Sequence, residues 1–405
     1  MGHKTLQITE VNRIPHLPTR PSSYLHAPPK LYIYPIKSLR PVSLDRASLQ
    51  REGLRYDRRF MLLKVEAGGG YKNMQVFHFP ECALFHQAIV DDDGHVVVTY
   101  RIPEHPLVVP PPPEQHAALR VPLNPAIAGL ETVDIRLYSS STAAYRMGDT
   151  YDAWFSACLG YPAILVYIGD NRRSVLAHAP QPEQPQPQTQ SWSSYLTSFV
   201  PYYGQQWPPK GEEAPGIVFN EAAPFLLTSK ASLRNVSARL PEGQEMDMVK
   251  FRPNIVVDEV WEESSGSEDS SSGDGDNDTP SILAAWDEDF WAELLVVGSS
   301  HRLALTANCA RCVSINVDYT TGRPASGELG SVLKKLMRDR RVDAGNKWSP
   351  IFGRYAFLLP PVNSSSSSSS GGGGEGQELE ADVAVGDEVK VTRRKSERDT
   401  WAWPK

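Results

Sequence analysis

Cysteine is scarce in this chain: Cys82, Cys158, Cys309 and Cys312 are the only four in 405 residues. That is too few, and too unevenly spaced, for a disulfide framework in a chain this long, so a reducing compartment is expected. No stretch nears the roughly 18 consecutive apolar residues of a membrane span, and residues 1–30 lack the apolar centre of a secretory signal. Leu6 stands where N-myristoylation takes Ser or Thr. Arg13 and Arg20 with a single acid, Glu10, suit a mitochondrial presequence, but Pro15, Pro18 and Pro21 interrupt the amphipathic helix it needs. An intracellular protein without an integral span is expected, cytoplasmic or mitochondrion-associated. Positive charge is not in excess either. A net charge of -7 argues against a general nucleic-acid binder. The chain also has no dinucleotide-binding or haem motif of its own.

What is present is an ordinary composition, 40% hydrophobic and 22% charged, long enough for two packed domains. Three segments cannot build a core: a Pro/Gln-rich and then aromatic linker at 179–215, a Ser/Gly/acid insert at 262–280, and a Ser-run and Gly-run insert at 363–378. They divide the chain into a disordered N-terminal tail (1–30), a first domain (31–178), a second domain (216–395) and a terminal tail (396–405). The first domain reads as mostly strands, at Leu31 to Pro35, Arg59 to Val65 and His95 to Tyr100. One helix runs from Thr150 as N-cap to Gly160 as stop. The second domain alternates short strands, among them Asn254 to Val257, Ser314 to Val317 and a last one at Asp382 to Val391 around Gly386-Asp387. Its two helices follow Ser229, as N-cap, and Leu329. The fold class expected is mixed α/β and β-rich, with a mixed barrel in the second domain.

Asn308-Cys309-Ala310-Arg311-Cys312, followed by Val317-Asp318 and Thr320-Thr321-Gly322, carries the most chemistry. A zinc site needs more N/S ligands than this pair offers. A thioredoxin-type pair needs a helix opening at the first cysteine, whereas an apolar, strand-like run follows. Taken alone, the pair reads as two buried thiols. Three further motifs accompany it in order. Tyr34-Pro35-Ile36-Lys37-Ser38 precedes Gly53-Leu54-Arg55-Tyr56-Asp57-Arg58-Arg59-Phe60. Then come Phe251-Arg252-Pro253-Asn254-Ile255-Val256 and Pro350-Ile351-Phe352-Gly353-Arg354-Tyr355.

Together these motifs resemble the MOSC proteins, named for the C-terminal domain of molybdenum cofactor sulfurase, and in particular their amidoxime-reducing branch. The resemblance implies an N-terminal MOSC-type β-barrel domain followed by a C-terminal mixed β-barrel MOSC domain. It implies a molybdenum cofactor (molybdopterin) whose metal takes the Cys312 thiolate, and soft sulfur donors suit molybdenum. Lys37, Ser38, Arg58 and Arg252 match positions that meet the cofactor's phosphate and pterin. Asn254, placed on the same strand face as Arg252, is expected at the pterin edge. Asp318 would orient the cysteine loop or cap the Thr320-Thr321-Gly322 turn. Thr228, Ser229 and Ser232 are possible donors to cofactor oxygens, although Ser229 already serves as a helix cap. Phe352-Gly353 reads as packing with a close backbone approach. The activity implied is reduction of N-hydroxylated substrates, with electrons from a cytochrome b5-type carrier and its flavin reductase. The alternatives are a non-catalytic carrier of cofactor or sulfur and a metal-free relic of the fold. Pyridoxal phosphate, which serves the sulfurase's other domain, has no site in this sequence and is not expected.

Overall fold

The computed structural model describes residues 5–7, 31–90, 94–179, 216–259, 283–299, 301–359 and 380–401. The inserts at 262–280 and 363–378, and all but Ala179 of the linker at 179–215, lie outside the described residues. The fold is mixed α/β and rich in strands.

Period-two patterning builds the first half. In Thr132–Leu137 the residues Val133, Ile135 and Leu137 are buried while Thr132, Asp134 and Arg136 face solvent. This strand edges a five-stranded antiparallel sheet in the order Thr132–Leu137, Ser140–Arg146, Ala163–Tyr167, Phe60–Val65, Tyr71–Asn73. A three-stranded sheet of Phe85–Val90, His95–Tyr100 and Leu119–Pro122 shares its core. The helix Asp149–Leu159 packs Trp154, Phe155 and Cys158 into that core and ends at Gly160 in the left-handed conformation. It begins at Asp149 after Gly148 rather than at a Thr150 cap, because Gly148 supplies the turn and the Asp152 carboxylate bonds Leu165 N–H instead.

The second half centres on Ile351–Leu359, buried along nearly its whole length as a strand covered on both faces must be. The sheet order is Thr5–Gln7, Glu388–Arg394, Trp291–Val296, Arg302–Ala310, Ile351–Leu359, Phe225–Ser229, Ile255–Glu259, Leu31–Ile33, Val42–Leu44. Thr5–Gln7 also pairs with Ile255–Glu259, so the pairings return to their start. Phe225–Ser229 and Ile255–Glu259 are parallel and joined through the helix Lys230–Ser237, whose N-cap Ser229 accepts from Ser232 N–H.

Several expectations change. Leu31–Ile33 and Val42–Leu44 extend the second half's sheet, and Arg46–Gln50 pairs with Glu380–Ala384, so the halves interleave rather than meet at one boundary. The expected last strand is two strands, Glu380–Ala384 and Glu388–Arg394, in different sheets. Gly386 at φ 100° and the Asp387 carboxylate, accepting from Ala384 N–H, turn the corner between them. Val313–Asn316 is a 3-10 turn, not a strand. The stretches read as tails contain a strand at Thr5–Gln7 and a buried Trp401.

Candidate functional site

A cavity of about 270 Å³ opens where the interleaved halves meet. Lys37 and Ser38 reach it from the turn after Leu31–Ile33, Arg58 from the turn before Phe60–Val65, and Arg252 and Asn254 from the approach to Ile255–Glu259. Cys312 reaches it from the end of Arg302–Ala310. Segments far apart in sequence therefore converge on one cavity. Asp318 does not line the cavity. Its carboxylate accepts from Thr320 N–H at 2.8 Å and Thr321 Oγ1 at 2.9 Å, which is the turn-capping role.

The cavity wall is backbone-strained. Among the described residues six non-glycines have positive φ, and four of them border the cavity: Ser38 at 74°, Arg58 at 51°, Tyr138 at 57° and Arg252 at 55°. Each such residue costs roughly 1–2 kcal/mol, which only a strongly determined surrounding structure holds in place. Arg252 thus follows the 3-10 turn Met248–Phe251 in a left-handed corner and is not the strand residue expected; the strand starts at Ile255.

Asp57 holds this wall together. Buried, it accepts from Tyr34 N–H at 2.8 Å, Asn254 Nδ2 at 3.0 Å and Asn220 Nδ2 at 3.4 Å, and pairs with Arg58. Asn254 is committed to the scaffold on both sides of its amide, also accepting from Leu226 N–H and donating to Tyr32 O. A role at a ligand edge is therefore secondary to this bracing. The Tyr34 ring lies 4.6 Å from the Arg58 guanidinium and 4.2 Å from that of Arg252. Behind the wall, Phe251 stacks on Phe352 at 3.9 Å, and a Cβ on Gly353 would meet Leu227 O at 2.8 Å, the close approach expected there.

The cations here are incompletely satisfied. Arg252 Nη1 donates to Leu39 O at 3.0 Å, but Nη2 is buried with no partner. Lys37 Nζ donates to Phe219 O at 2.9 Å. Burial pushes its ammonium down to about 7 even though the Glu221 carboxylate opposes that fall. Glu221, unanticipated from the sequence, is open to the cavity yet ringed by protein. Burial would raise its carboxyl, but Lys37, Arg311 and Arg58 outweigh burial and hold it below the usual range. Tyr138 bonds to Glu221, and burial with that neighbour holds its phenol well above the usual value. No motif marks Glu221 or Tyr138. Arg311 and Asp57 sit inside motifs, but nothing in their spacing announces their partners.

The two thiols differ sharply. Cys309 is buried, raised by burial, and receives Arg311 Nη1 at 2.8 Å. Cys312 is exposed at the N-terminus of the 3-10 turn Val313–Asn316, its Sγ 3.2 Å from Ser314 Oγ. Only Cys312 lines the cavity.

Residues 29–162 match the MOSC N-terminal beta barrel domain, and residues 215–390 match the MOSC domain. The chain belongs to the MOSC family. With both domains in this order it matches the amidoxime-reducing-component branch of MOSC proteins. It is 24% identical over 336 residues to mitochondrial amidoxime-reducing component 1 of Danio rerio, spanning 80% of this chain and 78% of that relative. It is 25% identical over 348 residues to mitochondrial amidoxime reducing component 2 of Rattus norvegicus, spanning 83% and 79%. The molybdenum cofactor sulfurase of Oryza sativa subsp. japonica is 23% identical over 326 residues, 78% of this MOSC chain but 31% of that relative.

The site's chemistry fits an anionic, metal-bearing cofactor. An accessible thiol faces a wall of buried and half-buried cations, two of which, Arg252 and Arg311, each have an unpartnered guanidinium nitrogen. Among the described residues no three His, Cys, Asp or Glu side chains gather as a metal cluster, and a metal held by one protein thiolate needs none. No helix among them is long and apolar enough to cross a membrane.

Proposed function

We propose that this MOSC protein is a molybdenum-cofactor-dependent reductase of N-hydroxylated compounds, served by a cytochrome b5-type carrier and its flavin reductase. The observation that carries this reading is the pairing, across one cavity, of the exposed Cys312 thiol with the cationic wall of Lys37, Arg58 and Arg252, in which Arg252 Nη2 is buried without a partner. Cys312 would hold the metal, while Lys37, Ser38 and Arg252 would take the cofactor's phosphate through charge-assisted hydrogen bonds. Arg58, fixed by Asp57 and Asn254, would add positive charge without moving. When bound, the cofactor supplies two-electron oxygen-acceptor chemistry that no side chain offers.

For an amidoxime the balance is R–C(NH2)=NOH + 2 e⁻ + 2 H⁺ → R–C(NH2)=NH + H2O. Electrons must come from outside, and protons must reach the departing oxygen. Tyr138 and Glu221 are arranged for that second task. The phenol stays protonated at neutral pH, the carboxylate stays ionised, and the two are hydrogen-bonded to each other in the cavity lining.

The test is molybdenum per chain after expression in a cofactor-competent host, followed by NADH oxidation with an N-hydroxylated amidine, a b5-type cytochrome and its reductase. Loading with substrate-dependent oxidation is expected. Loaded protein that stays inert with several N-hydroxylated substrates, yet passes cofactor or sulfur to an acceptor protein, would replace the reductase reading with the carrier.

A further inference from the structure

Beside Cys312 the cavity mouth carries a feature that substrate reduction itself does not use. Residues 341–350 form a loop with tied ends: Ile351 N–H donates to Arg340 O at 2.8 Å, and Arg340 Nε donates to Ile351 O at 3.2 Å. Inside it the buried Asp343 accepts from Asn308 Nδ2, Gly345 N–H and Trp401 N–H, each at 2.9 Å. Pro350 O accepts from Arg311 N–H at 2.8 Å, one residue before Cys312. The loop is thus fixed next to the exposed Cys312 thiol, and its Asn346 and Ser349 line the cavity.

On this anchored loop Trp348 is 81% exposed, and Val313, adjacent to Cys312, is 48% exposed. A rigidly presented, bare tryptophan forfeits hydrophobic stabilisation unless something covers it. Lys347 beside it is exposed, as are Arg341, Arg338 and Lys334 on the approach to the loop. The turns after Val332–Leu336 continue helically through Met337 N–H to Leu333 O and Arg340 N–H to Leu336 O, which puts Lys334 and Arg338 on one side. None of these four cations has an ion pair among the described residues. The acids of the same stretch are engaged elsewhere, Glu328 with Lys335 and Asp339 with Arg239. Four exposed cations without an ion pair among the described residues therefore form a rim along the loop and its approach, in a chain whose net charge is -7.

We propose that this rim is the docking surface for an acidic electron-carrier protein, with Trp348 as its apolar centre and Lys334, Arg338, Arg341 and Lys347 as its cationic surround. The proposal rests on the reductase reading, since that reaction consumes two electrons that the chain cannot generate. Two one-electron carriers are oxidised for each N–O bond broken, so each must approach the Cys312 edge. An aromatic anchor within complementary charge suits such a transient partner. Charge complementarity selects an acidic carrier.

The experiment uses full-length, molybdenum-loaded protein with two electron donors: the soluble haem domain of a b5-type cytochrome, and reduced methyl viologen, which needs no docking. For Arg341→Glu/Lys347→Glu and for Trp348→Ala, kcat/KM for the cytochrome should fall at least about tenfold at low salt. Activity with methyl viologen, molybdenum content and Tm should stay at wild-type values. Added salt should lower the wild-type rate with cytochrome and leave the charge-reversed variant almost unchanged. Undiminished cytochrome kinetics in these variants would overturn the proposal. So would an equal loss with both donors or a raised KM for the N-hydroxylated substrate, either of which would make the loop a substrate platform. Charge-dependent binding to anionic vesicles with unaltered cytochrome kinetics would likewise overturn it in favour of a lipid surface. If wild type is inert with both donors, the reductase reading fails separately. Calorimetric binding of the ferric haem domain then decides docking alone: binding lost in the variants supports it, and no binding to wild type overturns it.

Discussion

Arg340, Arg354 and Arg398, behind the cavity, each meet a carboxylate. Arg340 Nη2 lies 2.9 Å from both Asp289 oxygens, Arg398 Nε adds a third contact at 2.8 Å, and Arg354 pairs with Asp399. Lys37, Arg252 and Arg311, on the cavity wall, donate to backbone carbonyls or a thiol and make no carboxylate ion pair among the described residues, although the Glu221 carboxylate acts on Lys37 and Arg311 through its charge. Burying a cation costs several kcal/mol in either place. Behind the cavity that cost is offset within the fold, whereas at the wall part of it remains until an anion arrives. The comparison separates charges that hold the protein together from charges held ready for a ligand.

The comparison would break first at the thiols. Cys312→Ser should abolish molybdenum retention, measured as metal per chain by mass spectrometry, because a hydroxyl poorly replaces a metal-bound thiolate. Cys309→Ser should lower it only modestly, since the smaller oxygen can still accept from Arg311. Full loading of Cys312→Ser would sink the assignment.

Next come the two kinds of arginine. Arg340→Ala strips Asp289 of its two-oxygen contact and should cost about 3 kcal/mol of stability, seen as a lower denaturation midpoint. Arg252→Ala should leave that midpoint nearly unchanged while cofactor affinity falls roughly 10- to 100-fold, the range for losing charged hydrogen bonds. If the two variants exchanged these phenotypes, the distinction between structural and ligand-facing charge would be wrong.

Lys37 sharpens the comparison through pH. Burial has pushed its ammonium down to about 7, and a bound phosphate would draw the value back up. Cofactor binding should then take up a proton. Affinity should hold below pH 7 and weaken above it, by at most about tenfold per unit for one linked proton. Titrating cofactor-free protein with molybdopterin between pH 6 and 9 measures this slope, and Lys37→Arg should flatten it.

How far the site could be read from the chain depended on whether its parts were local. Lys37, Ser38, Arg58, Arg252, Asn254 and Cys312 stand in short ordered motifs, and all six line one cavity. Asp318 stands in such a motif and turns away to cap its own loop. Glu221 and Tyr138 escaped because their significance lies in each other and in Lys37, across long separations. Asp57 was visible but mute, its bonds to Tyr34, Asn220 and Asn254 spanning 23 to 197 residues. Left-handed backbone at Ser38, Arg58 and Arg252 carries no compositional sign, since glycine is the residue that advertises it. Trp401 was hidden by its place in a charged terminal stretch, although Asp343 fixes its backbone in the cavity wall. In the fold, alternation located most strands but not the exchange of Leu31–Ile33 and Glu380–Ala384 between halves, which depends on long-range pairing.

The smallest effect expected belongs to Glu288, an acid behind the cavity with no ion pair among the described residues. Glu288 is fully buried, and burial pushes its carboxyl up to about 7 although Ser232 and Arg340 favour the ionised form. Its folded value therefore exceeds the unfolded one of roughly 4.3, so the folded protein holds the proton more tightly. The stability this confers on the neutral acid is fully present below about pH 4, and it is lost progressively as pH rises through 7. Glu288→Gln keeps the shape of the protonated acid and removes the titration. Urea midpoints of the two proteins should coincide near pH 4.5 and separate towards pH 8, where the variant should be more stable by on the order of 2 kcal/mol. A variant less stable at pH 8 would mean that Glu288 is held by a partner, as its neighbour Asp289 is by Arg340 and Arg398. The contrast between balanced charges behind the cavity and unbalanced ones at its wall would then extend to every acid in the network.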